Sequence, residues 1–149
     1  MNNHKYNQNS EQNKNLLSKV VNEVWNQGNF DMIEDLVTDD FIIHSMGMEE
    51  DLKGPEQVKQ HYIHLHKAFP DIKFTINDQI AEDDKVVTHF TVSATHKGEF
   101  KGIPATGNKV TFKGVDIDKI ADGKFVECWT NIDELGLMQQ LGVIPSKNN

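Results

Sequence analysis

The sequence predicts an α+β domain in which helices come first and a meander of antiparallel strands follows. Apolar residues recur at helical spacing up to Phe69, and from Ile72 onward they alternate with polar ones. Between the last two alternating runs stands Asp122-Gly123, a dipeptide suited to the positive φ angles of a two-residue hairpin turn. Helices grouped ahead of strands, rather than interleaved with them, favour α+β over a parallel α/β sheet. The 149 residues suit one domain, with a real core and no room for a second.

Taken in order, residues 1–13 are rich in Asn, Gln and Lys and read as a flexible polar tail ahead of a domain spanning 14–145. Leu16, Leu17, Val20, Val21, Val24 and Trp25 form a wide apolar stripe at helical spacing, as in a helix held between two other elements. Gly28 ends it, and Asn29 is placed to cap a second helix carrying Phe30, Ile33, Leu36 and Val37. Asp39-Asp40 close that helix, and Phe41 to His44 is a short strand. Gly54-Pro55 opens a third helix, since a first-turn proline lacks only an N–H that would have no partner there. Its inward stripe is Val58, Tyr62, Leu65 and Phe69, and Pro70 stops it. Four strands follow: one led by Ile72, Phe74, Ile76 and Ile80, one by Val86, Phe90 and Val92, then about Lys109–Ile120 and Lys124–Ile132. Asp133 caps a closing helix through Leu135, Met138 and Leu141.

Composition excludes several function classes. The net charge is −8, which opposes nucleic acid and anionic membrane as partners. All 15 basic residues are lysine, so the bidentate grip of arginine on phosphate is unavailable. No apolar run of roughly 18 residues is present, so no membrane span is expected. The first ten residues lack the apolar centre of a signal peptide, and Cys128 is the single cysteine, so a cytoplasmic location without disulfides is expected.

Three stretches are distinctive: Thr95-His96-Lys97-Gly98-Glu99-Phe100-Lys101-Gly102-Ile103-Pro104-Ala105-Thr106-Gly107, the run Asp122 to Trp129, and Asp133 to Gly142. Together they resemble the SnoaL-like polyketide cyclase and ester cyclase branch of the NTF2-like superfamily, a likeness that covers Leu16 to Gly142. The resemblance implies a cone, made by a strongly curved sheet wrapped around a long helix and open at one end. It further implies a small apolar, oxygen-bearing organic ligand, acid–base chemistry (cyclisation, isomerisation or hydration) without cofactor or metal, and a homodimer. Many relatives carry His and Asp where this chain has Cys128 and Thr130, the acid serving as general acid/base for an aldol closure. A threonine hydroxyl is too weak a base to replace that carboxylate. A binding module that has lost catalysis and a protein-interaction domain therefore stand beside the enzyme reading.

Candidate site residues follow from strand parity. On the last strand Val126, Cys128, Thr130 and Ile132 are small and mostly apolar and are assigned inward; Phe125, Glu127, Trp129 and Asn131 face outward, as the dimer surface. Asp116 is the strongest remaining acid, but its direction is open. Val110 and Phe112 share one phase, Val115 and Ile117 the other, and a bulge at Gly114 would reset the count. His44, at the cone mouth, is the candidate to orient Asp116 or share its proton. Trp25, Phe41, Phe69 and Met138 are candidates to line the cavity, although aromatic residues at such spacings also build ordinary cores. His61, His64 and His66 read as surface histidines of the third helix, since His61 and His66 fall on opposite flanks and cannot share an ion. His89 is expected to face outward, and Cys128 reads as a small packed hydrophobe rather than a nucleophile.

Overall fold

The computed structural model describes residues 3–45 and 50–146. Helix α1 runs Asn3–Val20 and widens into a π-helical turn over Val21–Asn26. The segment expected to be a tail is thus helical from Asn3. The straight-chain residues Glu11, Gln12 and Lys14 lose little on entering a helix, and Lys14 pairs with Glu11 at 2.7 Å one turn away.

The wide turn sets two side chains. Trp25 points inward against Tyr62 and Phe74, with ring centroids 4.2 and 5.5 Å away. Asn26 grips the backbone of Phe74 at both ends: its Nδ2 donates to the carbonyl at 3.0 Å and its Oδ1 accepts from the N–H at 2.7 Å. Asn29 makes no side-chain cap, contrary to expectation; its own N–H bonds the carbonyl of Glu23 instead. A 3-10 turn, Phe30–Met32, leads into the short helix α2, Ile33–Leu36.

Strand β1, Val37–Ser45, starts earlier than the periodicity predicts and absorbs Asp39-Asp40. Val37 already has extended geometry, the conformation a β-branched residue prefers, and pairs with Phe125. The two-residue strand β2 (Leu52–Lys53) precedes α3 (Gly54–Ala68), which carries Pro55 in its first turn as expected. Strands β3 (Lys73–Glu82), β4 (Lys85–Thr95), β5 (Lys109–Ala121) and β6 (Lys124–Ile132) complete the sheet, and α4 (Glu134–Gln140) closes the chain. Asp133 caps α4, accepting from the Gly136 N–H at 2.9 Å. Asp122 and Gly123 both adopt positive φ, 50° and 74°, as the hairpin signal requires.

The sheet order is β2-β1-β6-β5-β4-β3, antiparallel except where β1 runs alongside β6. Helices and sheet form the α+β arrangement read from the sequence. The main core joins Leu17 and Val24 of the first helix and Val58 of α3 to Phe41, Ile43, Val86, Ile120 and Phe125 of the sheet. A second cluster at the other end gathers Ala68, Phe69, Phe100, Val110, Leu137 and Leu141.

Two local features correct the expected parity. Lys119 pairs with Glu127 but Ile120 pairs with Phe125, so Val126 is an extra residue in β6. That bulge turns Phe125 into the core, where it is only 4% exposed, and away from the outer face assigned to it. At Gly114 there is no bulge, because β4 and β5 stay in register from Lys85↔Lys119 to Thr95↔Lys109. Glycine is needed there for space: a Cβ would sit 2.5 Å from the Phe90 ring and 2.8 Å from the Asn131 carbonyl oxygen. Gly114→Ala is therefore expected to destabilise the fold by about 1–3 kcal/mol, the usual range for an overpacked core. A urea titration that leaves the unfolding midpoint unmoved would contradict this account.

Candidate functional site

With β5 in unbroken alternation, Val110, Phe112, Gly114, Asp116, Asp118 and Ile120 all face the same side, while Val115 and Ile117 are surface residues. Asp116 therefore looks inward, which resolves the orientation the sequence leaves open. It lies on the wall of a cavity of about 210 Å³ between the π-helical turn that carries Trp25, α3 and the concave side of the sheet. The wall is largely apolar: Trp25, Tyr62, Leu65, Phe69, Phe74, Phe90, Phe112 and Leu137 contribute most of it. Its polar members include Asp116, Cys128, Thr130, His61, Lys101 and Glu134.

Cross-strand pairing brings the acid–base groups together. Asp116 stands opposite Thr130, and Asp118 opposite Cys128. The Thr130 hydroxyl thus faces the Asp116 carboxyl, where it favours the charged form, and the Cys128 thiol faces that of Asp118. One atom from each of Asp116, Asp118 and Cys128 lies within 4.8 Å of the others. Two full charges that close repel by about 3 kcal/mol even in a medium of effective dielectric about 20. Burial raises the Asp116 pKa to about 6 against the opposing effect of Thr130. Burial, then the charge of Asp116, raises Asp118 to about 8. The same burial pushes the Cys128 thiol and the Tyr62 hydroxyl up, so both stay protonated. Asp116 Oδ1 and Thr88 Oγ1 are buried without a hydrogen-bond partner; Thr88 is the register partner of Asp116 on β4. The spacing of the three ligand atoms could suit a divalent cation, but a protonated thiol and a neutral carboxyl are poor ligands until they lose their protons.

The remaining sequence candidates divide. Trp25, Phe69, Cys128 and Thr130 line the cavity with Asp116. Phe41 is 4% exposed within the main core, and Met138 packs against the second cluster, where its neighbour Leu137 takes the place at the cavity wall. His44 is on the wrong side of the sheet to serve Asp116. Phe41 and Ile43 use the inward positions of β1, so His44 projects outward and stacks on Trp129 at 5.5 Å. There its Nε2 meets Glu127 at 2.7 Å and its Nδ1 meets Asp51 at 2.8 Å, and the bond to Glu127 is the main reason its pKa is raised. His89 is exposed as expected.

Three participants escaped the sequence reading. Asp118 shares the phase of Asp116, and an unbroken β5 would have shown it. His61, read as a surface residue, lines the cavity; burial, then the charges of His64 and Lys101, lowers its pKa. His96 is fully buried: its Nδ1 accepts from the Thr106 N–H at 3.2 Å and its ring lies 5.4 Å from that of Phe69. It helps fix the loop that carries Lys101, whose ammonium pairs with Glu134 at the start of α4.

Comparison with known proteins gives a consistent pattern. The SnoaL-like polyketide cyclase family matches residues 15–141. AclR from Streptomyces galilaeus is 30% identical, with a TM-score of 0.82 over 94% of this chain and 87% of that one. TsrD from Streptomyces laurentii is 26% identical at a TM-score of 0.79, covering 90% of this chain and 97% of that one. IdmH from Streptomyces antibioticus is 27% identical at a TM-score of 0.76, covering 87% and 98%. No curated protein matches the chain.

The raised pKa values carry a pH consequence. Asp116 and Asp118 hold protons in the folded state at pH values where the unfolded chain, with ordinary carboxyls near 3.8, has lost them. Their contribution to stability is therefore complete below about pH 4 and falls as pH rises through about 6 and about 8. Asp118→Asn is expected to raise the melting temperature relative to the parent at pH 8.5 and to change it less at pH 5, read by thermal denaturation at both values. A difference independent of pH would show that the buried carboxyl titrates normally.

Proposed function

The chain belongs to the SnoaL-like polyketide cyclase family, whose signature covers residues 15–141, and from that membership we propose that it binds a small apolar, oxygen-bearing organic molecule in the cavity and performs acid–base chemistry on it. The observation that carries this reading is Asp116, an ionisable carboxyl on a largely apolar cavity wall with its pKa raised to about 6. A base poised near neutral pH is what proton abstraction next to a carbonyl needs.

In the cyclisation form, the Asp116 carboxylate takes a proton from the carbon beside a ligand carbonyl. The C–H electron pair becomes the enolate double bond, and the carbonyl pair moves onto oxygen. The enolate carbon then attacks a second carbonyl of the same molecule, and the resulting alkoxide recovers the proton from Asp116. No other reactant enters. Tyr62, protonated and held by Trp25, is the cavity-wall hydroxyl suited to donate to the enolate oxygen. Isomerisation would use the same first step with reprotonation at another carbon.

A second reading, a binding module without catalysis, is favoured by Cys128 and Thr130 standing where the family resemblance leads one to expect His and Asp. We also propose a homodimer through the outer sheet face, where Ile80 is 64%, Val115 41%, and Ile117 and Trp129 each 37% exposed. That much apolar surface on one face suits a second copy of the chain. As for membranes, no described helix is long and apolar enough to cross one.

Mass spectrometry of natively purified protein should recover a co-purifying neutral or weakly acidic organic compound. With that compound as substrate, Asp116→Asn should lower kcat by at least about 100-fold, the usual contribution of a positioned base, while folding is retained. Unchanged turnover removes Asp116 from the chemistry, and a bound compound that is never converted favours the binding module.

A further inference from the structure

Asp118 is a buried acid for which the proposed reaction has no role. It is 5% exposed and does not itself line the cavity, yet it lies next to Asp116 on the same side of β5. The titratable groups facing the pair are Cys128 from β6 and Tyr62 from α3; Thr130 from β6 and Thr88 from β4 add hydroxyls. His61 and Lys101 line the same cavity, and their mutual interaction is electrostatic repulsion.

We propose that Asp116 and Asp118 act as one unit that holds a single proton near neutral pH, with Asp118 keeping it and Asp116 left free to accept another from a bound molecule. Three observations divide the roles. Asp116 is the member on the cavity wall, opposite the Thr130 hydroxyl. Asp118 is the deeper one, where a charge is least tolerated. Like charges within 4.8 Å in apolar surroundings oppose double ionisation, so the second proton is retained. Asp118 is a positioning residue, acting through Asp116 and touching no substrate. Cys128, the register partner of Asp118 with its sulfur within 4.8 Å of that carboxyl, packs against it rather than serving as a nucleophile.

The catalytic use of the pair rests on the reading of Asp116 as a base, but the shared proton does not and can be tested without substrate. The experiment is a pH titration of the full, ligand-free chain by infrared difference spectroscopy, following the protonated-carboxyl C=O stretch and the S–H stretch. Cys128 is the sole cysteine, so the S–H band reports one atom beside Asp118. At pH 7 the parent should retain the band of one protonated carboxyl, and the S–H band should shift in the same step in which that carboxyl ionises at higher pH. Asp118→Asn should abolish the retained band. Asp116→Asn should move the ionisation of Asp118 down by roughly one pH unit or more, since the neighbouring charge is gone.

Absence of a protonated carboxyl at pH 7 would overturn the proposal, as would an S–H band indifferent to that ionisation. So would an Asp118 titration unmoved by Asp116→Asn, or stoichiometric divalent metal bound to the three ligand atoms in purified protein. The parent spectra stand even if a variant fails to fold. Loss of the shared proton leaves Asp116 available as a lone base, whereas unaltered turnover in Asp116→Asn rejects the reaction and leaves the pair intact.

Discussion

The uninterrupted register between β4 and β5 decides which side chains enter the cavity. Eleven consecutive pairs, from Lys85↔Lys119 to Thr95↔Lys109, allow no slip of the two-residue period. One added residue would send Asp116 and Asp118 to solvent and turn Val115 and Ile117 inward, giving an oily hollow with no acid on β5. Gly114 protects that register indirectly. By omitting a side chain it lets the Phe90 ring lie across the strand, so the sheet packs closely without a kink.

Opposite this regular strand, β6 is irregular, and the two behaviours complement each other. The extra residue at Val126 brings Phe125 into the core while Cys128 and Thr130 still face Asp118 and Asp116. The acid–base groups thus occupy two neighbouring ladder positions with rigid backbone on both sides. Burial then acts on all of them in one direction, towards the neutral form, because the groups facing the pair are acids or hydroxyls rather than cations. The chain has no arginine, and Lys101 is held by Glu134 at the start of α4. On the proposed function, this favours neutral or weakly acidic organic molecules over phosphates as occupants.

Much of this was legible before coordinates. The long strands, the Asp122-Gly123 hairpin, the Pro55 helix start and the Asp133 cap are each written in a short stretch of residues whose chemistry acts locally. Tertiary effects were harder to read. Phe125 was assigned outward because a bulge depends on the partner strand and leaves no mark of its own in β6. His44 was assigned to the cavity because its place in a short strand said nothing of parity; the true strand starts at Val37 and fixes Phe41 and Ile43 inward. Asp118 is hidden in the sequence because Gly114 looks like a possible bulge, when its role is to make room for Phe90. A helical wheel places His61 on the surface because it does not show that the space beside the core stripe is a hollow rather than solvent.

Strand β3 ends the sheet, and the outward-pointing backbone groups along it would invite another chain to add on. The Asn26 carboxamide answers both hydrogen-bonding groups of Phe74, acting as a one-residue false strand supplied by the widened helical turn. The distortion that aims Trp25 at the cavity thereby also blunts a border open to fibril-like growth, so the shape of the hollow and the protection of the sheet edge hang on the same turn of backbone.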